Sequence, residues 1–135
     1  MQQMKKLVLV VGVLVLVAGA FVGWYSIAAN YDYGALSGAY TLSQNGEKCT
    51  LYLRPDQTFT QELNRGGVAQ EAQGRWRRYG QAHVSFSGEF LKVAGQELNA
   101  SGESHGQFDK TLGLFPSLTL APLPDGPTFH KKLFR

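Results

Sequence analysis

The sequence contains a single cysteine, Cys49, among its 135 residues, so no disulfide can form within one copy of the chain. Cys49 alternates with Leu51 and Leu53, and this alternation predicts a small buried side chain on a strand. Pairing with a second protein is the alternative for an odd cysteine in an exported domain. The fold is therefore expected to depend on packing and on turn geometry.

The sequence also lacks the motifs of the commoner enzyme chemistries. It has no glycine-rich phosphate loop after a predicted strand, no nucleophile motif and no paired acids. Its histidines, at positions 83, 105 and 130, are too scattered to predict a converging set of metal ligands. We predict no metal site and no cofactor. A hydrolase-type enzyme that uses His83 or His105 with an acidic residue stays open as an alternative.

Charge of one sign is not in large excess. The chain has 13 Lys and Arg against 10 Asp and Glu, and without Lys5 and Lys6 the balance is 11 against 10. Nucleic-acid-binding domains normally carry a basic face, so no nucleic acid partner is predicted. The densest basic stretch, RWRRY at residues 75–79, could suggest single-strand binding. Alternation also explains it, with Trp76 pointing into a core and the arginines on either side of it pointing to water.

Residues 7–27 form a run of 21 residues without a charged side chain. As a helix this run would be roughly 31 Å long at ~1.5 Å per residue, and the hydrocarbon core of a bilayer is about 30 Å thick. Trp24 and Tyr25 lie near its far end, where amphipathic rings prefer the headgroup level. The run predicts a transmembrane anchor.

A cleaved signal peptide is the alternative for this run, since Ala18-Gly19-Ala20 matches a small-residue cleavage site. The apolar run continues beyond that site, which favours the retained anchor. Lys5 and Lys6 precede the span, so we expect the N-terminus to be cytoplasmic. Residues 1–31 would then form a stub, the anchor and a short linker, and residues 32–135 would form an extracytoplasmic β domain.

The β domain begins with two hairpins whose turns predict a register. Asn45-Gly46 predicts a type I′ turn that pairs Gln44 with Glu47, Leu42 with Cys49 and Tyr40 with Leu51. Pro55 starts a three-residue loop that pairs Leu53 with Phe59 and Cys49 with Leu63. These pairs place apolar side chains on one face. Gln61 falls on the same face, so it must find a polar partner near a barrel mouth, or the register is disturbed there.

Two further hairpins continue the pattern. A turn at residues 64–67 would place Phe59 opposite Ala72, and a turn at residues 79–81 would place Trp76 opposite Val84. In this register Gly74 pairs with Phe86, and Arg77 pairs with His83 on the outside. Residues 96–113 are rich in Gly, Ser and Asn, and they are interpreted as an irregular crossover or a functional loop. Strands are predicted to resume at residues 117–122 and 128–134.

Two strings, LYLRPDQTFTQEL at residues 51–63 and GRWRRYGQAHVSFS at residues 74–87, resemble a pattern of small lipocalin-like barrels of the bacterial cell envelope. In that pattern a strand, a Pro-Asp-Gly-Thr-Phe-type turn and a second strand are followed by Gly-x-Trp and a final apolar strand. The resemblance covers about residues 36–87, and Gln57 stands where the usual glycine would be. It implies a barrel that binds a ligand or an envelope partner, and it assigns no role to an individual residue.

These features predict a mainly β protein in which a single transmembrane helix precedes an antiparallel meander that forms a small β-barrel or sandwich. The expected function is non-catalytic binding of a protein partner or a small ligand in the cell envelope. A lipocalin-like carrier of an apolar ligand is an alternative, but large core-facing side chains would fill a small barrel and favour a protein partner. The candidate binding residues are Arg75, Arg77, His83 and His105.

Overall fold

The computed structural model describes residues 1–28, 31–96, 98, 103–111 and 115–132. Within these ranges it contains two helices and eight strands. The helices are α1 (Gln2–Ala28) and α2 (Tyr33–Leu36). The strands are β1 (Gly38–Gln44), β2 (Glu47–Leu53), β3 (Thr58–Arg65), β4 (Val68–Tyr79), β5 (His83–Gly88), β6 (Ser104–Thr111), β7 (Phe115–Leu120) and β8 (Thr128–Lys131).

The eight strands form a closed barrel in which each strand pairs with its neighbours in sequence. All pairs are antiparallel, and the barrel closes where β1 meets β8, with Tyr40 opposite Lys131 and Thr41 opposite His130. This arrangement confirms the predicted mainly β fold and decides for a barrel over a sandwich. Closure also removes the open sheet edges that would otherwise pair with other chains.

Helix α1 stands outside the barrel, and the side chains of residues 1–26 are exposed along its length. By length and composition it could cross a membrane, and a signal sequence at the same place would satisfy the same criteria. Residues 31–36 then join it to the barrel.

The first two hairpins have the predicted register. Asn45 and Gly46 both have positive φ, 50° and 75°, as a type I′ turn requires. Leu42 lies opposite Cys49, and Leu53 lies opposite Phe59. Turn chemistry therefore fixes the pairing of β1, β2 and β3.

The next two registers were predicted wrongly by two residues. Phe59 lies opposite Gly74 instead of Ala72, because Gly66 and Gly67 both adopt positive φ and form a tight two-residue turn. Trp76 lies opposite Phe86 instead of Val84. A shift of two residues keeps every side chain on its predicted face, so the inward-facing set is unchanged.

The interpretation of residues 96–113 as irregular is also wrong in part, because residues 104–111 form β6 between β5 and β7. The inward-facing positions at the start of β6 are Ser104 and Gly106. Because neither side chain is apolar and large, the sequence lacks the alternation by which a strand is predicted. Gly106 is required by close packing, since a Cβ at this position would lie 2.5 Å from the carbonyl oxygen of Thr119. The stretch EFLKVAG, residues 89–95, is neither strand nor helix.

The barrel interior is filled by inward-facing side chains. Phe59 and Phe86 meet edge to face, with ring centroids 5.4 Å apart, and Trp76 meets Phe108 at 6.1 Å. Aromatic pairs in these geometries add to the stabilisation from burial. The largest fully buried side chains are Trp76, Tyr40, Phe59, Phe86, Phe108, Phe129, Leu36, Leu51, Leu63, Leu118, Leu120 and Gln61.

One end of the barrel is closed by helix α2, and we call it the α2 end. Asp32 caps the helix by accepting a hydrogen bond from the backbone N–H of Ala35. Leu36 is fully buried, and its carbonyl accepts a hydrogen bond of 2.6 Å from the hydroxyl of Tyr40. The ring of Tyr33 packs on Trp76 with centroids 4.9 Å apart. The loops at residues 54–57 and 80–82 lie at this same end.

The opposite end, which we call the far end, is closed by residues 89–96. Val93 is buried, and Phe90 and Leu91 pack against the core. The backbone of this segment is held by side chains from the strands: Gln44 donates to the carbonyl of Ala94 at 2.9 Å. Both mouths of the barrel are therefore covered by the chain itself.

Candidate functional site

The interior holds few groups that could do chemistry. Burial raises the pKa of the Cys49 thiol to about 11, so it is protonated at neutral pH. Burial also raises the pKa of the Tyr40 phenol, whose proton is already donated to Leu36. Gln61 is fully buried, and its amide is bonded to the backbone of Leu91. These three buried groups therefore stabilise the fold. The candidate binding residues lie on the outer surface of the barrel.

The four candidate binding residues lie together on the outer surface of three neighbouring strands. We call the outward-facing side chains of β4, β5 and β6 the β4–β6 wall. In its central row Arg77 lies opposite Ser85, and Ser85 lies opposite His105. Neighbouring strands are about 4.8 Å apart, which puts the backbones of Arg77 and His105 at roughly 10 Å.

The adjacent row of the wall, toward the α2 end, contains His83. Its imidazole stacks on the ring of Tyr79 with centroids 5.4 Å apart and an angle of 25° between the planes. On its other side His83 lies opposite Gln107. The predicted pair of Arg77 and His83 does not form, because the register of β4 and β5 differs by two residues from the prediction.

Arg75 and Arg77 are both exposed, while Trp76 between them is fully buried. The alternation reading of this stretch is therefore confirmed. Arg78 belongs to the α2 end instead, because its guanidinium donates to the carbonyl of Tyr31 and lies 5.8 Å from the centre of the Tyr33 ring. Arg75 and Arg77 thus leave two cationic groups on the wall.

Neither histidine of the wall faces a carboxylate in the pairing register. His83 has Tyr79 and Gln107 as its directly opposed neighbours, and His105 has Ser85. The Nδ1 atom of His105 is buried and has no hydrogen-bond partner among the described residues. General acid–base catalysis by histidine relies on a group that orients the ring. In the pairing register, no carboxylate stands directly opposite either ring to orient it.

A second concave surface, not anticipated from the sequence, lies on the outside of β2, β3 and β4. It is an open groove of about 450 Å³. Glu62 and Glu71, which both line it, lie directly opposite each other, and such a like-charge pair costs stability. Its lining residues are Lys48, Thr50, Glu62, Leu63, Asn64, Ala69, Gln70, Glu71 and Lys132. The alternating pattern of the strands predicts that the polar side chains among them face outward. Their mixture of acidic and basic groups does not indicate a binding site.

Within the residues that the structure describes, no three histidine, cysteine or acidic side chains gather where they could hold a metal ion. Searches against protein-family models, curated proteins and solved structures find no match to this chain. The eight-stranded antiparallel barrel is compatible with the resemblance to lipocalin-like barrels.

Proposed function

We propose that the protein is a membrane-anchored extracytoplasmic β-barrel without catalytic activity, which binds a protein partner through the β4–β6 wall. The observation that carries this proposal is the filled and capped barrel. Aromatic side chains occupy the interior, α2 covers one mouth, and residues 89–96 cover the other. A binding function is therefore assigned to the outside of the barrel.

The filled interior weighs against the alternative of an apolar-ligand carrier. Pockets that bury a drug-sized ligand have volumes of about 300–1,000 Å³. Barrels of eight strands are either filled by side chains or enclose one small ligand. Here Tyr40, Phe59 and Trp76 extend inward, so a ligand could enter only if they moved aside.

The composition of the wall suits a protein partner. Arginine and tyrosine are enriched among the residues that dominate binding energies at interfaces. Arg75 and Arg77 can each form paired hydrogen bonds with a carboxylate, and the stack of Tyr79 on His83 offers a flat surface beside them. The partner we propose therefore presents acidic side chains on an extended or flat surface.

The anchored location draws its support from α1 and from the lysines that precede its apolar part. Lys5 and Lys6 favour a cytoplasmic N-terminus, which places the barrel on the other side of the membrane. Since α2 starts at Tyr33, the linker between α1 and the barrel is short. The wall would then be presented close to the membrane surface, to a partner in the same compartment.

A photo-crosslinking experiment in intact cells tests the proposal. A benzophenone amino acid replaces Ser85 in the wall, and the control places it at Thr41 on β1 across the barrel. We expect one discrete protein adduct from position 85 that is lost when Arg77→Ala is added, and no such adduct from position 41. Equal adducts from both positions would refute wall-specific binding, as would an adduct that survives Arg77→Ala and Arg75→Ala together.

A further inference from the structure

The near-neutral β domain is strongly polarised along the barrel axis. The charged side chains of the described residues from residue 31 onward form two sets, according to the half of the strand or the end loop in which each one lies. The α2 half carries the basic groups Arg54, Arg75, Arg77, Arg78, Lys110, Lys131 and Lys132 and the acidic groups Asp32, Asp56 and Asp109. The far half carries the basic groups Lys48, Arg65 and Lys92 and the acidic groups Glu47, Glu62, Glu71, Glu89, Glu103 and Asp125.

These sets give the α2 half a net charge of +4 and the far half a net charge of −3. Some of the basic groups are occupied within the fold. Lys131 donates to the carbonyl of Ala35 at 2.9 Å, and Lys110 lies 4.8 Å from the centre of the Tyr31 ring. Arg75 and Arg77 are exposed on the β4–β6 wall, and Arg54 and Lys132 are exposed at the α2 end.

Exposed aromatic side chains are concentrated at the same end. Tyr52 is 37% exposed, Tyr79 is 43% exposed and Phe115 is 43% exposed. They lie on β2, β4 and β7, each within one residue of the strand terminus that faces the α2 end. They therefore surround the α2 end from different sides, as a belt of interfacial rings would.

The chain itself brings this end close to the bilayer. If α1 is embedded, Trp24 and Tyr25 mark its emergence, and α2 follows after residue 32. Four residues, 29–32, can span at most about 14 Å. The α2 end is therefore the part of the barrel that meets the headgroup layer first.

We infer that the α2 end of the barrel rests on the headgroups of anionic phospholipids in the membrane that holds α1. This inference depends on the anchored location proposed above. The net positive charge attracts the phosphates, the rings of Tyr52 and Phe115 enter the interface, and the negative far half is repelled from the surface. Tyr79 stays stacked on His83 in the β4–β6 wall. The barrel would then stand upright, with the β4–β6 wall held at a fixed height above the lipid.

The test uses the full chain in lipid nanodiscs, made either of phosphatidylcholine alone or of equal parts of phosphatidylcholine and phosphatidylglycerol. A nitroxide is attached at Gln81→Cys in the α2-end loop or at Asn64→Cys at the far end, both in a Cys49→Ala background. Relaxation of the nitroxide by a water-soluble nickel chelate measures exposure to water. With phosphatidylglycerol, we expect exposure at position 81 to fall by about threefold and exposure at position 64 to stay unchanged. High salt should reverse the effect, because it screens exposed charges.

Two charge-reversal pairs separate specific docking from a general effect of charge. Arg54→Glu with Lys132→Glu changes the α2 half and should abolish the phosphatidylglycerol dependence. Lys48→Glu with Lys92→Glu makes the same change of net charge in the far half and should leave the dependence intact. Tyr52→Ser with Phe115→Ser should restore most of the exposure at position 81 without altering the charge.

The outcomes distinguish this inference from the proposal on which it rests. Failure of the chain to enter nanodiscs at all would refute the anchor. An anchored chain whose position 81 is equally exposed in both lipids would refute only the docking of the barrel. Equal effects of the two charge-reversal pairs would also overturn the docking, because they would show that net charge alone controls the measurement.

Discussion

The side-chain amide of Gln61 forms two hydrogen bonds with the backbone of Leu91, thirty positions along the chain. Its Nε2 donates to the carbonyl oxygen at 2.8 Å, and its Oε1 accepts from the backbone N–H at 2.7 Å. Gln61 is the polar residue that interrupts an otherwise apolar inner face of β3. Gln61 therefore has the polar partner that its position on the inner face required. Its two hydrogen bonds pair the backbone N–H and C=O of Leu91, in the segment that covers the far end.

Replacement of Gln61 by Met should destabilise the protein by about 2–3 kcal/mol, because it leaves both polar backbone groups of Leu91 without their partners. Urea unfolding in detergent, followed through Trp76 fluorescence in a Trp24→Phe background, measures this change. The matched control is Gln73→Met, at an exposed position on β4. If the two variants lost equal stability, Gln61 would have no special role in holding the far-end segment.

The contrast between correct and incorrect registers has a physical cause in the turns. Asn45-Gly46 has one strongly preferred geometry, so counting outward from it pairs β1 with β2 correctly. The stretch at residues 64–67 contains two adjacent glycines. From the sequence alone, the loop could include all four residues or only the two glycines, with Arg65 paired to Val68. Because both positions fit positive φ, the tighter turn forms and shifts the register by two.

The elements missed altogether are those with weak local signals. Strand β6 begins with Ser104 and Gly106 facing inward, and Gly106 packs closely against Thr119 of β7. Helix α2 is four residues long and is fixed by contacts of Tyr33 and Leu36 with the barrel. Of the four candidate binding residues, alternation placed Arg75 and Arg77 on the outside and the predicted register added His83, but only the assembled barrel brings His105 beside them, because β6 has a weak local signal.

Gly74 should tolerate no side chain, because a Cβ there would lie 2.1 Å from the carbonyl oxygen of Ser87 and 2.9 Å from the ring of Phe59. Gly74→Ala is expected to cost about 3 kcal/mol or more, since overpacking forces the backbone to move. Gly66→Ala is the comparison, with open space but a φ of +59°, and it should cost about 1 kcal/mol. The same urea assay ranks them, and a reversed order would contradict the close approach of β4 and β5.

Cys49 should be nearly inert in the folded protein. Burial raises the pKa of its thiol to about 11, and the thiolate is the species that reacts. At pH 8 we expect iodoacetamide to modify Cys49 at least about 100-fold more slowly than an exposed cysteine introduced as Ser43→Cys. Mass spectrometry of the alkylated protein measures both rates. Comparable rates, or a disulfide-linked dimer on a non-reducing gel, would contradict the buried position.

Glu47 should make the stability of the far end depend on pH. Arg65 Nε donates to its Oε1 at 2.6 Å, and the N–H of Ala94 donates to its Oε2 at 3.1 Å. These bonds hold the pKa of the Glu47 carboxyl below its ordinary value of 4.5. A carboxyl whose pKa is lower in the folded state stabilises the fold above its unfolded pKa, and the contribution is lost as the pH falls through the folded value.

The Glu47→Gln variant should therefore lower the urea midpoint at pH 6 and flatten its decline as the pH falls below 4.5. Glu89→Gln removes an exposed carboxylate at the first position of the same far-end segment and controls for the change in net charge. Measuring the midpoints of the three proteins at pH 6 and at more acidic pH isolates the contribution of Glu47. A pH dependence in Glu47→Gln as steep as that of the parent protein would mean that other carboxylates, and not this contact between β2, β3 and residues 89–96, govern acid stability.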